Sequence, residues 1–422
     1  FIYLIGKEIG NRWVGFCAFL LAGMAYWPNV ISRIGLRFPL YALFAAPTIY
    51  FLIRGFKRQL RNDFILSGLF LGLGVHGYSP ARFLPFVIVV AFLLFIIHPA
   101  AKGKRIQAIT SLIIVAGISF AVFLPLLRYV IDDPQGFSIR AFSRLLGTEQ
   151  PLPGPAWEIF LSNTWKALIM FFHDNGEIWV HSIPHRPALD YVTGALFFIG
   201  LIIVIARYIK DRKWWDVFLL VSIPLLMMPS ILSLAFPAEN PSLNRTSAAI
   251  IPVFVIAGIG LESILANLIK RLPSAKGQAL VKIMGIGLLM WSGALNYNLV
   301  FTQFNEQFMA GAWNTSEIGK VIRGFADSIG NENSAYVVPF PYWVDTRLVG
   351  INAGFPTKDY ALWPDQFEQT LSDTQNKLFI LKEEDMEELE LLQAMYPKGT
   401  RKLFDNPREG KDFWIFSVPA EK

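Results

Sequence analysis

Apolar segments long enough to cross a lipid bilayer recur along the first 300 residues, and short basic connections separate them at every second break. A spanning helix takes roughly 20 mainly apolar residues, with a range of about 17–25. Candidates run at 13–28, 38–53, 64–78, 83–98, 106–127, 188–209, 214–236, 247–269 and 279–301; several early ones are short, so they extend into their flanks or some of them are not full crossings. Phe1–Ile5 reads as the tail of one more, so a further N-terminal segment is expected upstream. The expectation is an α-helical polytopic membrane protein with about nine spans plus a partial one. Hydrophobic residues make up 54% of the chain and charged residues 17%. That charge fraction is well below the roughly 25% of soluble domains.

Charge divides the chain in two. Residues 1–300 carry 26 Lys and Arg against 13 Asp and Glu, a net +13, whereas residues 301–422 carry 12 against 19, a net −7. The positive charge sits in short interhelical connections, which suits membrane topology and not nucleic-acid binding. Five basic connections, "GKEIGNR", "RGFKRQLRND", "PAAKGKR", "RYIKDRK" and "KRLPSAKGQ", alternate with less basic ones. The positive-inside rule puts all five in the cytoplasm. Alternation then puts 29–37, 78–82, 128–187, 237–246 and everything after 301 outside. The lone cysteine, Cys17, lies in an apolar run and excludes an internal disulfide.

Two segments outside the spans have their own pattern. Within the long loop 128–187, "AWEIFLSNTWKALIMFF" spaces its apolar residues as a helix does. Such a helix either lies on the outer membrane surface or packs within the loop. Residues 301–422 alternate helix and strand signals, with strands at "AYVVPF", "KLFIL" and "DFWIFSV" and helices at 316–330 and 383–397. This predicts a small extracytoplasmic α/β domain after the transmembrane domain of residues 1–300. It has no phosphate-binding loop, dinucleotide fingerprint or nucleophile elbow.

The candidate site residues lie at the outer helix ends: Arg33, Arg37, Arg82, Arg186 and Arg245, with Tyr78 and His185 nearby. Any one arginine could simply snorkel to lipid headgroups. Together, several of them beside Pro or Gly turns suit an anionic ligand, because a guanidinium grips phosphate with two parallel donors. Asp132 and Asp133 open the long loop, where an acceptor or cation contact competes with a solvated turn before Pro134. The segment "HDNGEIWVHSIPHRP" offers His173, Asp174, Glu177, His181 and His185, but their spacing is loose and Pro184 interrupts any aligning helix. No metal centre and no cofactor are expected. Gly258, Gly260, Gly285 and Gly287 fall inside spans and are read as close-packing positions.

The succession "NVISRIGLRFPLYALF", "RNDFILSGLFLGLGVHGYSPARFLP", "HDNGEIWVHSIPHRPALDYVTGALFFIGL" and "NRTSAAIIPVFVIAGIGLE" resembles bacterial membrane glycosyltransferases of family 39. These C-type enzymes are related to protein O-mannosyltransferases and the aminoarabinose transferase of lipid A. The resemblance implies transfer of a sugar from a polyprenyl-phosphate carrier to an acceptor hydroxyl outside the cytoplasm, with inversion. It implies donor-phosphate binding by Arg33, Arg82 and Arg245 and places Tyr78 and Arg186 among the substrate contacts, while Arg37, His185, Asp132 and Asp133 are candidate contacts by position alone. It also implies a catalytic carboxylate in a first external loop, expected upstream of Phe1. The partners implied are membrane lipids, the lipid-linked donor and a protein, lipid or glycan acceptor, in a bacterial plasma membrane. A lipid-linked sugar transporter or flippase would use similar external cations, but would place ionisable residues near the bilayer midplane. A scaffold built around the tail domain would leave the arginines unexplained.

Overall fold

The computed structural model describes residues 1–339 and 343–420, apart from the side chains of 140–142. It comprises two compact units, 1–308 and 309–422. In the first, the helices are α1 (Ile2–Ile9), α2 (Arg12–Met24), α3 (Tyr26–Arg33), α4 (Pro39–Arg58), α5 (Arg61–Gly74), α6 (Leu84–Ile97) and α7 (Arg105–Asp132). They are followed by α8 (Pro134–Leu146), α9 (Ala156–Ile169), α10 (Tyr191–Asp211), α11 (Trp214–Ile231), α12 (Ile250–Arg271) and α13 (Ala275–Tyr297).

Among the described residues, seven helices are long and apolar enough to cross a membrane, or eight if the bent pair α2 and α3 forms one span. The sequence reading of about nine candidates leaves open whether the short early ones are full crossings, and by length and composition one of them does not qualify. That one is the segment at 64–78: its helix α5 has only 14 residues, which gives about 21 Å against a hydrocarbon core of about 30 Å. Gly74 and Gly77 lie where α5 gives way to turns. The segment at 13–28 is interrupted too, with a 50° bend between α2 and α3. The amphipathic segment of the long loop is α9.

Helix α12 forms the centre of this unit, packed against α2 and α10. Glycines make the approach possible. A Cβ on Gly258 would lie 2.7 Å from the Ala18 nitrogen, and one on Gly260 would lie 2.2 Å from the Leu196 carbonyl oxygen. Gly287 has no such role, since a Cβ there meets nothing within 4 Å.

Two helical hairpins share one turn design. Helices α4 and α10 each end in a left-handed residue, Gln59 (φ 55°) and Arg212 (φ 48°). One extended residue follows, Leu60 or Lys213, before the next helix starts. Across each turn an arginine grips an aspartate nine residues later with two donors. Arg54 Nε donates to Asp63 Oδ2 at 2.8 Å, and Arg207 Nε donates to Asp216 Oδ2 at 2.8 Å. In both pairs the Nη2 group donates to the other carboxylate oxygen. The aspartates are buried, 2% and 0% exposed.

The basic connections meet at this same end of the bundle. Lys57 and Arg58 pair with Glu8 at 3.3 and 2.6 Å, and Asn11 donates to Glu262 at 2.9 Å. Lys57 lies 4.9 Å from the Trp215 ring centre, and His98 packs against Tyr208. The alternation read from the sequence thus corresponds to a physical segregation of loops between two ends.

The second unit contains α14 (Phe304–Gly311) in part, then α15 (Thr315–Ala326), α16 (Thr346–Asn352) and α17 (Met386–Met395). Its strands are β1 (Ala335–Val337), β2 (Lys377–Lys382), β3 (Thr400–Phe404) and β4 (Phe413–Val418), in the order β1-β2-β4-β3. β1 runs parallel to β2, and the other pairs are antiparallel. Alternate residues of β2 feed two cores. Leu378 and Ile380 join Ile318 and Ile322 of α15, while Phe379 and Leu381 join Leu389 and Leu392 of α17. Both faces are covered, so the strand is apolar throughout instead of alternating. The sequence reading of the first strand reached position 340, which lies outside the described residues.

The turn pairs generate a stability prediction. Arg54→Ala or Arg207→Ala leaves a buried carboxylate unpaired and is expected to cost about 3–5 kcal/mol. Thermal unfolding of the purified protein in detergent measures it. Replacing both partners by apolar residues, Arg54→Met with Asp63→Leu, should cost less than the single change. An equal loss in the two variants would contradict the role given to the pair.

Candidate functional site

The opposite end of the bundle collects the candidate arginines, but each is held differently. At the centre is Glu239, in the connection between α11 and α12. Both Arg245 and Arg144 donate to its Oε2 atom. Arg245 also donates to Ser233 Oγ at 3.1 Å, and its side chain is only 12% exposed. Arg144, from α8, lies over the Phe236 ring at 4.6 Å. Burial alone would raise the Glu239 carboxyl. Hydrogen bonds and charge from Arg245 and Arg144 outweigh it and hold the group below its ordinary 4.5. Two guanidinium groups on one carboxylate leave a positive excess.

An aromatic group adjoins this centre. Phe38, at the entry to α4, packs its ring 5.3 Å from Tyr78 and 5.5 Å from His181, edge-on to the latter. The Phe38 carbonyl accepts a hydrogen bond from Ser247 at 3.3 Å, two residues beyond Arg245. Arg245 acts electrostatically on both Tyr78 and His181. The structure therefore brings Arg245 and Tyr78 together.

Arg82 extends the cationic region. It belongs to the short turn Ser79–Phe83 that leads into α6. Its Nη1 group donates to the Phe137 carbonyl at 2.7 Å, and its guanidinium lies 3.8 Å from the Phe137 ring centre. Its Nε donor is buried without a partner among the described residues. Arg37 is exposed and near enough to bear electrostatically on Arg82.

The other candidates stand apart. Arg33 is exposed at the end of α3, with its guanidinium 4.3 Å from the Phe301 ring centre and no ion-pair partner among the described residues. Arg186 lies over the Tyr26 ring at 4.4 Å, with Nη1 buried and without a partner among the described residues. Tyr26 donates its backbone N–H to Asn296 at 2.6 Å, and Asn296 donates to Asp190 at 2.9 Å. Asp190 in turn caps α10. His185 is exposed at φ 57° and its Nδ1 lies 3.3 Å from Asp174. Asp132 is 3.8 Å from Arg128, while Asp133 accepts from the Gly136 N–H at 2.8 Å and caps α8. Both aspartates are exposed at this helix junction.

The segment 173–187 folds into a closed loop. Asn175 N–H donates to the Arg186 carbonyl at 2.8 Å, and His185 N–H to the Gly176 carbonyl at 3.2 Å. No group of three or more His, Cys, Asp or Glu side chains among the described residues is placed to hold a metal ion.

Glu239 and Arg144 escaped the sequence reading, and His181 entered it only as a possible metal ligand. "FPAENPSLNR" carried a usable signal, an acidic residue six before Arg245 at the end that collects the candidate arginines. Arg144 had none, because it meets Glu239 from 95 positions away.

His181 gives this end a pH dependence. Burial first, then the charge of Arg245, push its imidazole from 6.5 down to about 4. The unfolded chain therefore binds a proton in a range where the folded one does not. The neutral imidazole's contribution to stability is full above pH 6.5 and is lost as pH falls toward about 4, by roughly 3 kcal/mol at most. Unfolding midpoints between pH 7 and 4.5 should fall more steeply for the wild type than for His181→Gln. Parallel slopes would contradict the assignment.

Comparison with known proteins adds an independent line. The family described as dolichyl-phosphate-mannose-protein mannosyltransferase matches residues 1–129. No curated protein matches the chain in sequence. The oligosaccharyltransferase of Archaeoglobus fulgidus in its apo form is similar in structure, with TM-score 0.48 and 12% identity over 79% of this chain and 46% of its own. ArnT from Cupriavidus metallidurans, bound to undecaprenyl phosphate, is similar with TM-score 0.44 and 12% identity over 98% of this chain and 86% of its own. The chain spans about half the length of the oligosaccharyltransferase. The family match covers about a third of the chain, residues 1–129, and takes in the first two motifs of the succession that carries the sequence resemblance.

Proposed function

We propose that this protein transfers a sugar from a polyprenyl-phosphate carrier to an acceptor hydroxyl, at the arginine end of the bundle, with inversion at the anomeric carbon. One observation carries the reading. Arg245 and Arg144 share a single carboxylate, and Arg82 has a buried donor with no partner among the described residues. Such a surplus of fixed cations at helix ends suits a phosphate held at the membrane surface. In the reaction, the bond between the anomeric carbon and the phosphate oxygen breaks while the acceptor oxygen bonds to that carbon. The acceptor's proton passes to a carboxylate acting as general base, the group that the resemblance to family 39 implies, and polyprenyl phosphate leaves. Negative charge grows on the phosphate as the bond lengthens, so fixed guanidinium groups stabilise the transition state more than the ground state.

Arg82 and Arg245 are the proposed phosphate ligands, with Arg33 reaching the carrier from the α3 end. Arg37 and Tyr78 border the same region, while Arg186 and His185 belong to the neighbouring closed loop. Asp132 and Asp133 cap and pair locally, which favours a supporting role for them. The basic end of the bundle faces the cytoplasm in this account, by the positive-inside rule. The arginine end and the C-terminal unit then lie outside, in a bacterial plasma membrane.

The test uses the full chain in nanodiscs with a labelled mannosyl polyprenyl phosphate as donor. Arg82→Ala and Arg245→Ala should each lower turnover by about 100-fold or more, as loss of a transition-state donor does. Arg33→Ala should weaken it less. Normal turnover in both Arg82→Ala and Arg245→Ala would overturn the phosphate assignment.

A further inference from the structure

A cavity adjoins the arginine centre, and its lining includes two carboxylates. It measures about 330 Å³ and is formed by α9, the closed loop and the turn at 238–241. Binding pockets for small molecules run from about 300 to 1,000 Å³, usually with mainly apolar walls. This one mixes polar and apolar walls in nearly equal parts. His173, Asp174, Glu177 and Lys166 line it, with Trp165 and Ile169 as its apolar wall. It shares a backbone wall with the arginine centre: Ala238 and Asn240 border the cavity, and Glu239 between them binds Arg144 and Arg245.

The cavity depends on a close approach of two loops. Gly176, at φ 97°, lines it, and a Cβ there would lie 2.2 Å from the Pro241 carbonyl oxygen. Only glycine lets the loops close to this distance. Helix α9 is anchored from the other side, where buried Asn163 donates to the Ile231 carbonyl at 2.9 Å. Its outward face is an apolar stripe of residues four apart: Trp157, Leu161 and Trp165, which are 65%, 57% and 66% exposed. Trp165 therefore belongs both to this stripe and to the cavity wall.

We infer that this cavity is the acceptor site, and that it takes the hydroxylated headgroup of a lipid-anchored carbohydrate. The inference rests on the glycosyltransferase reading above. Two carboxylates and an imidazole accept hydrogen bonds from sugar hydroxyls, and an indole face packs against a sugar ring or the start of an acyl chain. The carboxylates disfavour a second phosphate, which separates this cavity from the donor side. The stripe on α9 accommodates the lipid chain, so headgroup and chain are met by one helix.

The probe is a diazirine-bearing octyl glucoside, photolysed with the full chain in nanodiscs and mapped by peptide mass spectrometry. Binding of radiolabelled undecaprenyl phosphate is measured in parallel. Label should fall on the peptide covering 165–177. It should drop by about tenfold, the equivalent of 1.4 kcal/mol, in Ala238→Trp, which fills the cavity. It should also drop in the exposed-rim variant Asp174→Asn with Glu177→Gln, which keeps the loop's size. Undecaprenyl phosphate binding should stay unchanged in both. Labelling elsewhere, or labelling undiminished in the rim variant, overturns the acceptor site. Failure of the wild type to bind undecaprenyl phosphate, with labelling of 165–177 intact, overturns the transferase reading instead.

Discussion

A charge cannot rest near hydrocarbon without a partner, and the membrane unit is organised by how it meets that requirement at its two ends. At the basic end two buried aspartates are matched one to one, while Glu8 serves both Lys57 and Arg58. Arg54 holds Asp63 and Arg207 holds Asp216, each with two donors in a nearly identical turn. Matched pairs of this kind set the geometry of a helical hairpin, and their Nε and Nη2 donors are used within it. At the other end the numbers differ. Glu239 serves two arginines, Arg82 keeps an unpartnered donor, and Arg33 and Arg37 face no carboxylate among the described residues. The same residue type is structural where it is matched and available for binding where it is in excess.

This contrast bears on what the sequence could and could not reveal. Apolar length and the alternation of basic loops are local properties, so the helical membrane unit and its two ends were legible. Helix lengths were less so. An apolar composition continues through 64–78, but Gly74 and Gly77 accompany the end of α5 and leave it short of a full crossing. In the tail, β2 and β4 announced themselves by their apolar runs. β3 did not, because "TRKLF" mixes charge into an exposed strand whose partner is β4.

The candidate site was legible in residue type and only partly in arrangement. Arg82, Arg245, Tyr78 and Arg37 converge on one region, since each sits at a turn whose position the spans determine. Arg33 follows α3 toward Phe301, a direction set by the bend after Met24 that no local pattern foretold. Arg144 reaches Glu239 from a helix of the long loop, and such a pairing of distant segments exists only in three dimensions. The cavity beside it depends on Gly176, whose φ and contact with Pro241 carry no signature beyond a glycine after an asparagine.

The central claim is that the surplus of arginines marks the place of a carrier phosphate. A structure of the full chain in nanodiscs with undecaprenyl phosphate tests it most directly. The account predicts the phosphate within hydrogen-bond distance of Arg82 or Arg245. A phosphate bound instead among the basic connections around Lys57 and Arg212 would contradict it.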